Sequence, residues 1–143
     1  MDDLDRSILG LLGADARMSV ATLARRLKVA RSTIQARLER LETTGIIAGY
    51  TVKLGEAARQ GRIRATVLLT IEPRAQANVL TRLRSIAEIE RVHTTSGRVD
   101  LLLQVAASST AVLDSVLDQI GEMTGVRQSE SLIHLSTKLD RAV

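Results

Sequence analysis

The spacing of the apolar residues changes part-way along this 143-residue chain, and this change constrains the fold more than any other feature. Up to about residue 45, apolar side chains recur every three or four positions, as they do on one face of an α-helix. From residue 62 onward, short β-branched runs alternate with segments of helical spacing. A helical part followed by a mixed part predicts two small domains and the fold class α+β.

Three amphipathic segments in the first part predict three short helices. Their apolar stripes are Leu4, Ile8, Leu11 and Leu12 in the first, Leu23 and Leu27 in the second, and Ile34, Leu38 and Leu41 in the third. Ser19 is placed to cap the second helix, and Ser32 with Gln35 has the spacing of a capping box at the start of the third. Gly45 is placed to end the third helix.

The segment after Gly45, residues 46–54, is β-branched and apolar, which predicts a short strand or wing. Three helices and a wing form the pattern of a winged helix-turn-helix domain, here residues 1–54, whose third helix enters the DNA major groove. A generic helical bundle with a solvated basic face has the same local pattern, so periodicity alone leaves both interpretations open. Residues 55–61, with Gly at both ends and no clear period, are predicted to be a linker.

Positive charge is concentrated in the first part of the chain. Residues 1–64 contain 12 Lys and Arg against 7 Asp and Glu, a balance of +5, whereas residues 65–143 contain 8 against 9. This distribution favours a polyanion as the partner of the first part only. The chain has one Tyr and neither Phe nor Trp, so it lacks the aromatic side chains on which single-stranded nucleic acids stack. Double-stranded DNA is therefore the expected partner.

A helical projection of the third helix places small and polar side chains on its outward side. Ser32, Thr33 and Ala36 would allow close approach to base edges, and Arg40 lies on the same side with Arg37 on its flank. Arginines at these positions are placed to reach phosphates or a guanine. The candidate DNA-binding residues are Arg31, Ser32, Thr33, Ala36, Arg37 and Arg40.

Residues 62–143 predict a ferredoxin-like domain with the element order β-α-β-β-α-β. The first strand is expected at 62–72, and Pro73 suits the first turn of the helix that follows. The two central strands are joined by the turn "SGRV", residues 96–99, and the last strand is expected at 126–139.

Several classes of protein are disfavoured by the sequence. No apolar run approaches the length of a membrane span, and the start "MDDLD" is acidic where a signal peptide is basic. The absence of cysteine fits a cytoplasmic protein. His93 and His134 fall on separate predicted strands, so ordinary strand histidines are expected rather than a metal site. Because no nucleophile-elbow or phosphate-loop pattern occurs, neither catalysis nor a cofactor is expected.

The stretch "LDRSILGLLGADARMSVATLARRLKVARSTIQARLERLETTGIIAGY", residues 4–50, resembles the DNA-binding half of the Lrp/AsnC regulators, the leucine- and asparagine-responsive transcription factors. The likeness lies in "LDRSIL", "LARRL", "STIQARLERLE" and "GIIAGY", which follow one another in the family's order. "TTSGRVDLLLQV", residues 94–105, is similar to the Gly-x-x-Asp loop and following strand of that family's amino-acid-sensing domain. The resemblance covers essentially the full chain.

The resemblance implies a homodimer, formed by pairing the sheets of the second domain, that often assembles further into tetramers or octamers. Such a dimer would place two recognition helices in successive major grooves of DNA. Ser32, Thr33 and Ala36 would then approach bases, while the three arginines of the helix, Arg31, Arg37 and Arg40, would hold phosphates or a guanine.

The resemblance also implies an amino-acid effector bound between dimers. Carried over by position, its contacts are Thr95, Ser96, Gly97 and Asp100. Asp100 would pair with the ammonium group, and backbone N–H groups at Gly97 would hold the carboxylate. Ordinary turn chemistry accounts for the same glycine and aspartate. Val99 stands where the family often has an aromatic residue, which removes a side chain that can line the pocket.

The leading interpretation is thus a sequence-specific transcriptional regulator modulated by an amino acid or a related metabolite. An effector-independent architectural protein that coats or bends DNA would use the same basic face. A regulatory subunit of a metabolic enzyme would use only the second domain, and the concentration of positive charge in residues 17–40 disfavours it.

Overall fold

The computed structural model describes residues 1–59 and 61–141, so Gln60 of the predicted linker and the last two residues of the predicted second domain lie outside the described residues. The described chain divides into two compact units, Met1–Lys53 and Leu54–Asp140. The predicted linker contains a short helix, α4, Glu56–Arg59, which belongs to the second unit. None of the described helices combines the length and the apolar character needed to cross a bilayer.

The first unit consists of three helices: α1, Asp3–Ala14; α2, Val20–Leu27; and α3, Arg31–Thr43. All three predicted helices are confirmed. Their apolar stripes meet in one core, where Ile8, Leu23, Ile34 and Leu41 are fully buried. The turn from α2 to α3 is only three residues long, because Lys28 adopts a left-handed conformation and ends α2 abruptly. This tight turn fixes α3 against α2 in the arrangement of a helix-turn-helix.

The helix ends agree only partly with the sequence prediction. Ser19 caps α2 as expected, since its Oγ accepts a hydrogen bond from Thr22 N. The capping box predicted at Ser32 and Gln35 is wrong, because α3 already begins at Arg31 and Ala30 occupies the cap without a side-chain hydrogen bond. A capping box forms instead at the start of α1, between Asp2 and Asp5.

The strand predicted at residues 46–54 is wrong as well, because these residues adopt no regular secondary structure, and their role as a wing stays a prediction. A strand needs a neighbouring strand to pair its backbone groups, and the first unit contains only helices in its described residues. The segment therefore leaves Tyr50, Val52 and Leu54 largely exposed.

The second unit has the predicted β-α-β-β-α-β order, with β1, Ile63–Ile71; α5, Gln76–Leu83; β2, Ile89–Thr94; β3, Leu101–Ala107; α6, Thr110–Gly121; and β4, Val126–Ile133. The antiparallel sheet has the strand order β2-β3-β1-β4, which is that of a ferredoxin-like domain. Pro73 lies in a turn before α5 rather than in its first turn. The strand β4 ends at Ile133 instead of residue 139, because its partner β1 pairs with it no further than Ala65.

The sheet has one covered and one open face. Alternate residues of β1, Ala65, Val67, Leu69 and Ile71, are buried in a core with α5 and α6. The opposite face carries three leucines on neighbouring strands, Leu68, Leu102 and Leu132, among polar side chains. Leu68 and Leu102 are direct cross-strand partners, and Leu132 is half exposed. The unit therefore presents an apolar stripe on the face that no helix covers.

Candidate DNA interface and effector loop

The end of α2 and the start of α3 present four cations to solvent. Arg25, Arg26, Lys28 and Arg31 are exposed. None of the four is in an ion pair with the described residues. A guanidinium or ammonium group that is already solvated and unpaired can bind a phosphate without first breaking an internal contact. Arg25, Arg26 and Lys28 are not among the DNA contacts predicted from the sequence.

The outward face of α3 has the small side chains expected of it. Ser32 and Ala36 are exposed, and Thr33 is half-buried. Because α3 starts at Arg31, these three residues lie in its first two turns, the part of a recognition helix that contacts base edges. The structure therefore groups Arg31, Ser32, Thr33 and Ala36 on one accessible helix start.

The two remaining arginines of the candidate set are engaged within the protein. Arg37 Nη1 donates to Asp2 Oδ2 and lies 3.2 Å from Asp5 Oδ1. Arg40 Nη2 donates to Asp5 Oδ2 at 2.6 Å. Arg37 is only 25% exposed in its side chain, whereas Arg40 is 54% exposed. Both arginines thus link α3 to the start of α1, and Arg40 keeps part of its guanidinium group accessible to solvent.

Asp5 is the centre of this network, and its side chain is 1% exposed. Burial raises the pKa of the Asp5 carboxyl group, but the hydrogen bonds from Asp2 N and Arg37 and the charge of Arg40 outweigh it and leave the pKa lowered. The hydrogen bond from Arg37, with that from Asp5 N, lowers the pKa of Asp2 from 3.8 to about 2. Neither aspartate is among the residues predicted from the sequence, although their three-residue spacing is that of a capping box.

These lowered pKa values predict an acid-sensitive first unit. A carboxyl group whose pKa is lower in the folded than in the unfolded state adds stability above its unfolded value, near 3.8 for Asp2, and this contribution disappears as the pH falls towards about 2. We expect the melting temperature of the first unit to fall over that interval. In Asp2→Asn the fall should be smaller, as measured by helical circular dichroism at several pH values. An equal fall in both proteins would contradict the assignment.

The candidate effector residues form the loop between β2 and β3, and that loop is closed by its own hydrogen bonds. Thr95 N donates to Asp100 O at 3.0 Å, and Thr95 Oγ1 donates to Val99 O at 2.8 Å. Asp100 Oδ2 accepts from Ile71 N at 2.9 Å. Gly97 has a φ of +112°, a conformation that side chains disfavour. Thr95 and Asp100 thus hold the loop shape, while Ser96 and Gly97 lie at its exposed tip.

The loop lies outside the groove that the described residues form between α5 and β2. A groove of about 650 Å³ between α5 and β2 reaches Thr94, but none of the four candidate effector residues lines it. Asp100 Oδ1 has no hydrogen bond within the described residues, so one carboxylate oxygen is accessible to a cationic group. His134 Nε2 lies 2.8 Å from Thr66 Oγ1, and His93 is exposed on β2. The groups able to bind a ligand are therefore at the surface of the isolated chain.

Two family models match this chain, one for each of its two compact units. The AsnC-type helix-turn-helix domain matches residues 1–42, and the Lrp/AsnC ligand binding domain matches residues 64–143. The chain belongs to the Lrp/AsnC family. It is therefore a transcriptional regulator with a DNA-binding helix-turn-helix and a ligand-binding domain, and not an enzyme.

Similar proteins have the same organisation along their whole length. The HTH-type transcriptional regulator LrpA of Mycobacterium tuberculosis is 30% identical over 134 residues, which are 93% of this chain and 89% of LrpA. The solved structure of Escherichia coli AsnC has a TM-score of 0.90 and 26% identity, with 100% of this chain and 97% of AsnC covered. That of the M. tuberculosis leucine response regulatory protein has a TM-score of 0.78 and 30% identity, with 100% and 98% covered. These similarities confirm the fold of both units.

Proposed function

We propose that this protein is a sequence-specific regulator that reads double-stranded DNA with the first two turns of α3. The observation that carries this proposal is the exposed helix start, where Arg31 and Ser32 adjoin Ala36 and none of the described residues forms an ion pair with the arginine. Small side chains let the helix backbone approach base edges, and the unpaired cations of α2 and the turn supply phosphate contacts. Arg37 and Arg40 remain candidate contacts, with Arg40 the more accessible of the two.

Sequence-specific DNA binding is tested by using the full-length protein to select duplexes from a random pool. The dissociation constant of a selected duplex is then compared with that of a scrambled duplex of equal length at one salt concentration. A ratio of roughly 10³ or more supports a sequence-specific regulator. A ratio near one supports the architectural alternative instead, because non-specific binding depends on phosphate contacts alone.

We further propose that the second unit binds an amino acid or a related metabolite at the β2–β3 loop. The family match is to a ligand-binding domain, and a relative of 30% identity is called a leucine response regulatory protein. Asp100, held by Ile71 N through one oxygen, can bind an ammonium group through the other. The exposed backbone at Gly97 can approach a carboxylate closely.

A thermal-shift screen against the twenty amino acids tests the effector. A ligand present at 100 times its dissociation constant adds about 2.7 kcal/mol to the free energy of unfolding. The shift should disappear in Asp100→Asn, which keeps the shape of the side chain and removes its charge. A shift that persists in Asp100→Asn would place the ligand elsewhere, and the absence of any shift would count against an amino-acid effector.

The open face of the sheet supports a homodimer. Two copies that pack these faces together would bury the leucines that the isolated chain exposes, and burial of apolar area drives such association. The dimer also doubles the number of recognition helices, which matches the two half-sites that helix-turn-helix dimers bind about one turn of DNA apart. Sedimentation velocity at several protein concentrations measures both the dimer and any further assembly into tetramers or octamers.

A further inference from the structure

Arg37 and Arg40, in the middle of α3, bind two aspartates at the start of α1. We call Asp2 and Asp5 the acidic frame. Asp2 N donates to Asp5 Oδ2 at 3.2 Å, and Asp5 N donates to Asp2 Oδ1 at 3.0 Å, so each aspartate holds the other. Arg37 and Arg40 bind opposite oxygens of the Asp5 carboxylate. The frame belongs to the start of α1, and the arginines lie 32 and 35 positions further along the chain than Asp5. This cluster is thus a long-range connection between α1 and the proposed recognition helix.

Because Asp5 is buried, the guanidinium groups that bind it can occupy only a narrow range of positions. Asp5 is the one charged residue that is fully buried in the described part of the chain. A buried carboxylate that loses a partner is costly, so the two guanidinium groups must stay where they satisfy both of its oxygens. The guanidinium group is planar and donates in fixed directions, unlike the ammonium group of lysine. The rotation of α3 about its own axis is therefore restrained by Arg37 and Arg40.

The other contacts of α3 restrain that rotation less. Ala30 provides no side-chain hydrogen bond to the helix start, so the end that meets DNA is not fixed by a cap. Ile34 and Leu41 bury the apolar stripe of α3, but apolar packing has no directional preference. Base readout requires side chains to be placed within about 0.5 Å. The directional restraint on α3 thus comes mainly from the acidic frame.

We infer that Asp2 and Asp5 are positioning residues for DNA recognition, which set the orientation of α3 through Arg37 and Arg40 and so determine how strongly the protein prefers one sequence. This inference rests on the proposed function. It assigns the aspartates a role in the ratio of specific to non-specific affinity. A scaffold that only stabilises the fold would leave that ratio unchanged.

The experiment uses the full chain with Asp2→Asn as the main variant. Asn has nearly the shape of Asp but cannot form the ion pair with Arg37. Asp3→Asn is the matched control, because Asp3 lies in the same turn, is fully exposed in its side chain and forms its ion pair with Arg6 of its own helix. Binding is measured to a duplex selected by the wild-type protein and to a scrambled duplex, below the melting temperature of each variant.

A second variant, Arg40→Lys, separates positioning from charge. Lysine retains a positive charge for a phosphate but loses the planar group that Asp5 binds. If Arg40 acted only on phosphates, Arg40→Lys would bind both duplexes nearly as the wild type does. If it acts through Asp5, the variant should lose preference for the selected duplex.

We expect Asp2→Asn and Arg40→Lys to bind the selected duplex about tenfold more weakly than Asp3→Asn does, with affinity for the scrambled duplex changed less than about twofold. If Asp2→Asn bound both duplexes more tightly, and by the same factor, the inference would be overturned. That result would show that the aspartates only keep the arginines from binding phosphates. An unchanged ratio in folded Asp2→Asn and Arg40→Lys would also overturn it. Failure of the wild-type protein to select any sequence would instead refute the proposed function.

Discussion

Replacing Gly125 with alanine should lower the free energy of unfolding of the second unit by about 2–5 kcal/mol. Gly125 lies between α6 and β4 with a φ of +99°, in the left-handed region that side chains disfavour. An added Cβ would stand 2.9 Å from Ala75 Cβ and 3.0 Å from Val79 Cγ2. Because Val79 is buried in the core, the clash cannot be relieved by rotating an exposed side chain.

Gly121→Ala is the matched control for this prediction. Gly121 is the last residue of α6, and a Cβ there would meet Ser129 Oγ at an ordinary 3.6 Å. Alanine favours the helix over glycine by up to about 1 kcal/mol, so this variant should be as stable as the wild type or slightly more so. Urea unfolding followed by circular dichroism measures both. Similar urea midpoints for Gly125→Ala and Gly121→Ala would show that the structure can accommodate a Cβ at residue 125, and would contradict this prediction.

The elements that the sequence predicted correctly are those with long periodic patterns. The three helices of the first unit each contribute apolar residues at helical spacing to one core, so a local pattern already contains the information that packing uses. The same holds for β1, whose alternate residues are buried in the second core. The predicted order of elements therefore agrees with the structure, apart from element ends, the segment at 46–54 and the short helix α4 in the predicted linker.

Residues 46–54 show where local pattern is insufficient. Their composition favours a strand, but a strand is stabilised by its partner, and the described residues of the first unit supply none. The strand ending at Ile133 instead of residue 139 has the same cause, since the pairing with β1 stops there. The extent of a strand depends on which other segments lie beside it.

The acidic frame shows a second limit of sequence analysis. A helical projection placed Arg40 on the outward side of α3, yet its long side chain reaches back to Asp5. No pattern within α3 indicates a partner that lies 35 positions earlier in the chain. Because of this partner, Arg40→Ala should leave a buried carboxylate short of one donor and so reduce stability as well as DNA binding.

Replacing Leu102 with glutamate should separate the proposed dimer and raise its dissociation constant by about 100-fold or more. Leu102 lies on the open face of the sheet beside its cross-strand partner Leu68. In a dimer that packs these faces together, the new carboxylate would lie inside the interface, where removing a charge from water is costly. In the monomer it would remain near solvent, so the fold itself should persist.

Leu135→Glu is the control for the dimer prediction, because Leu135 is 96% exposed but lies beyond the last residue of β4. Sedimentation velocity at several concentrations should show the wild type and Leu135→Glu as dimers or larger assemblies, and Leu102→Glu as a monomer. Circular dichroism establishes that the monomer is folded. A folded Leu102→Glu that sediments with the wild type would exclude this face as the interface. If the dimer is required for two half-sites, the monomer should also bind the selected duplex more weakly than Leu135→Glu does.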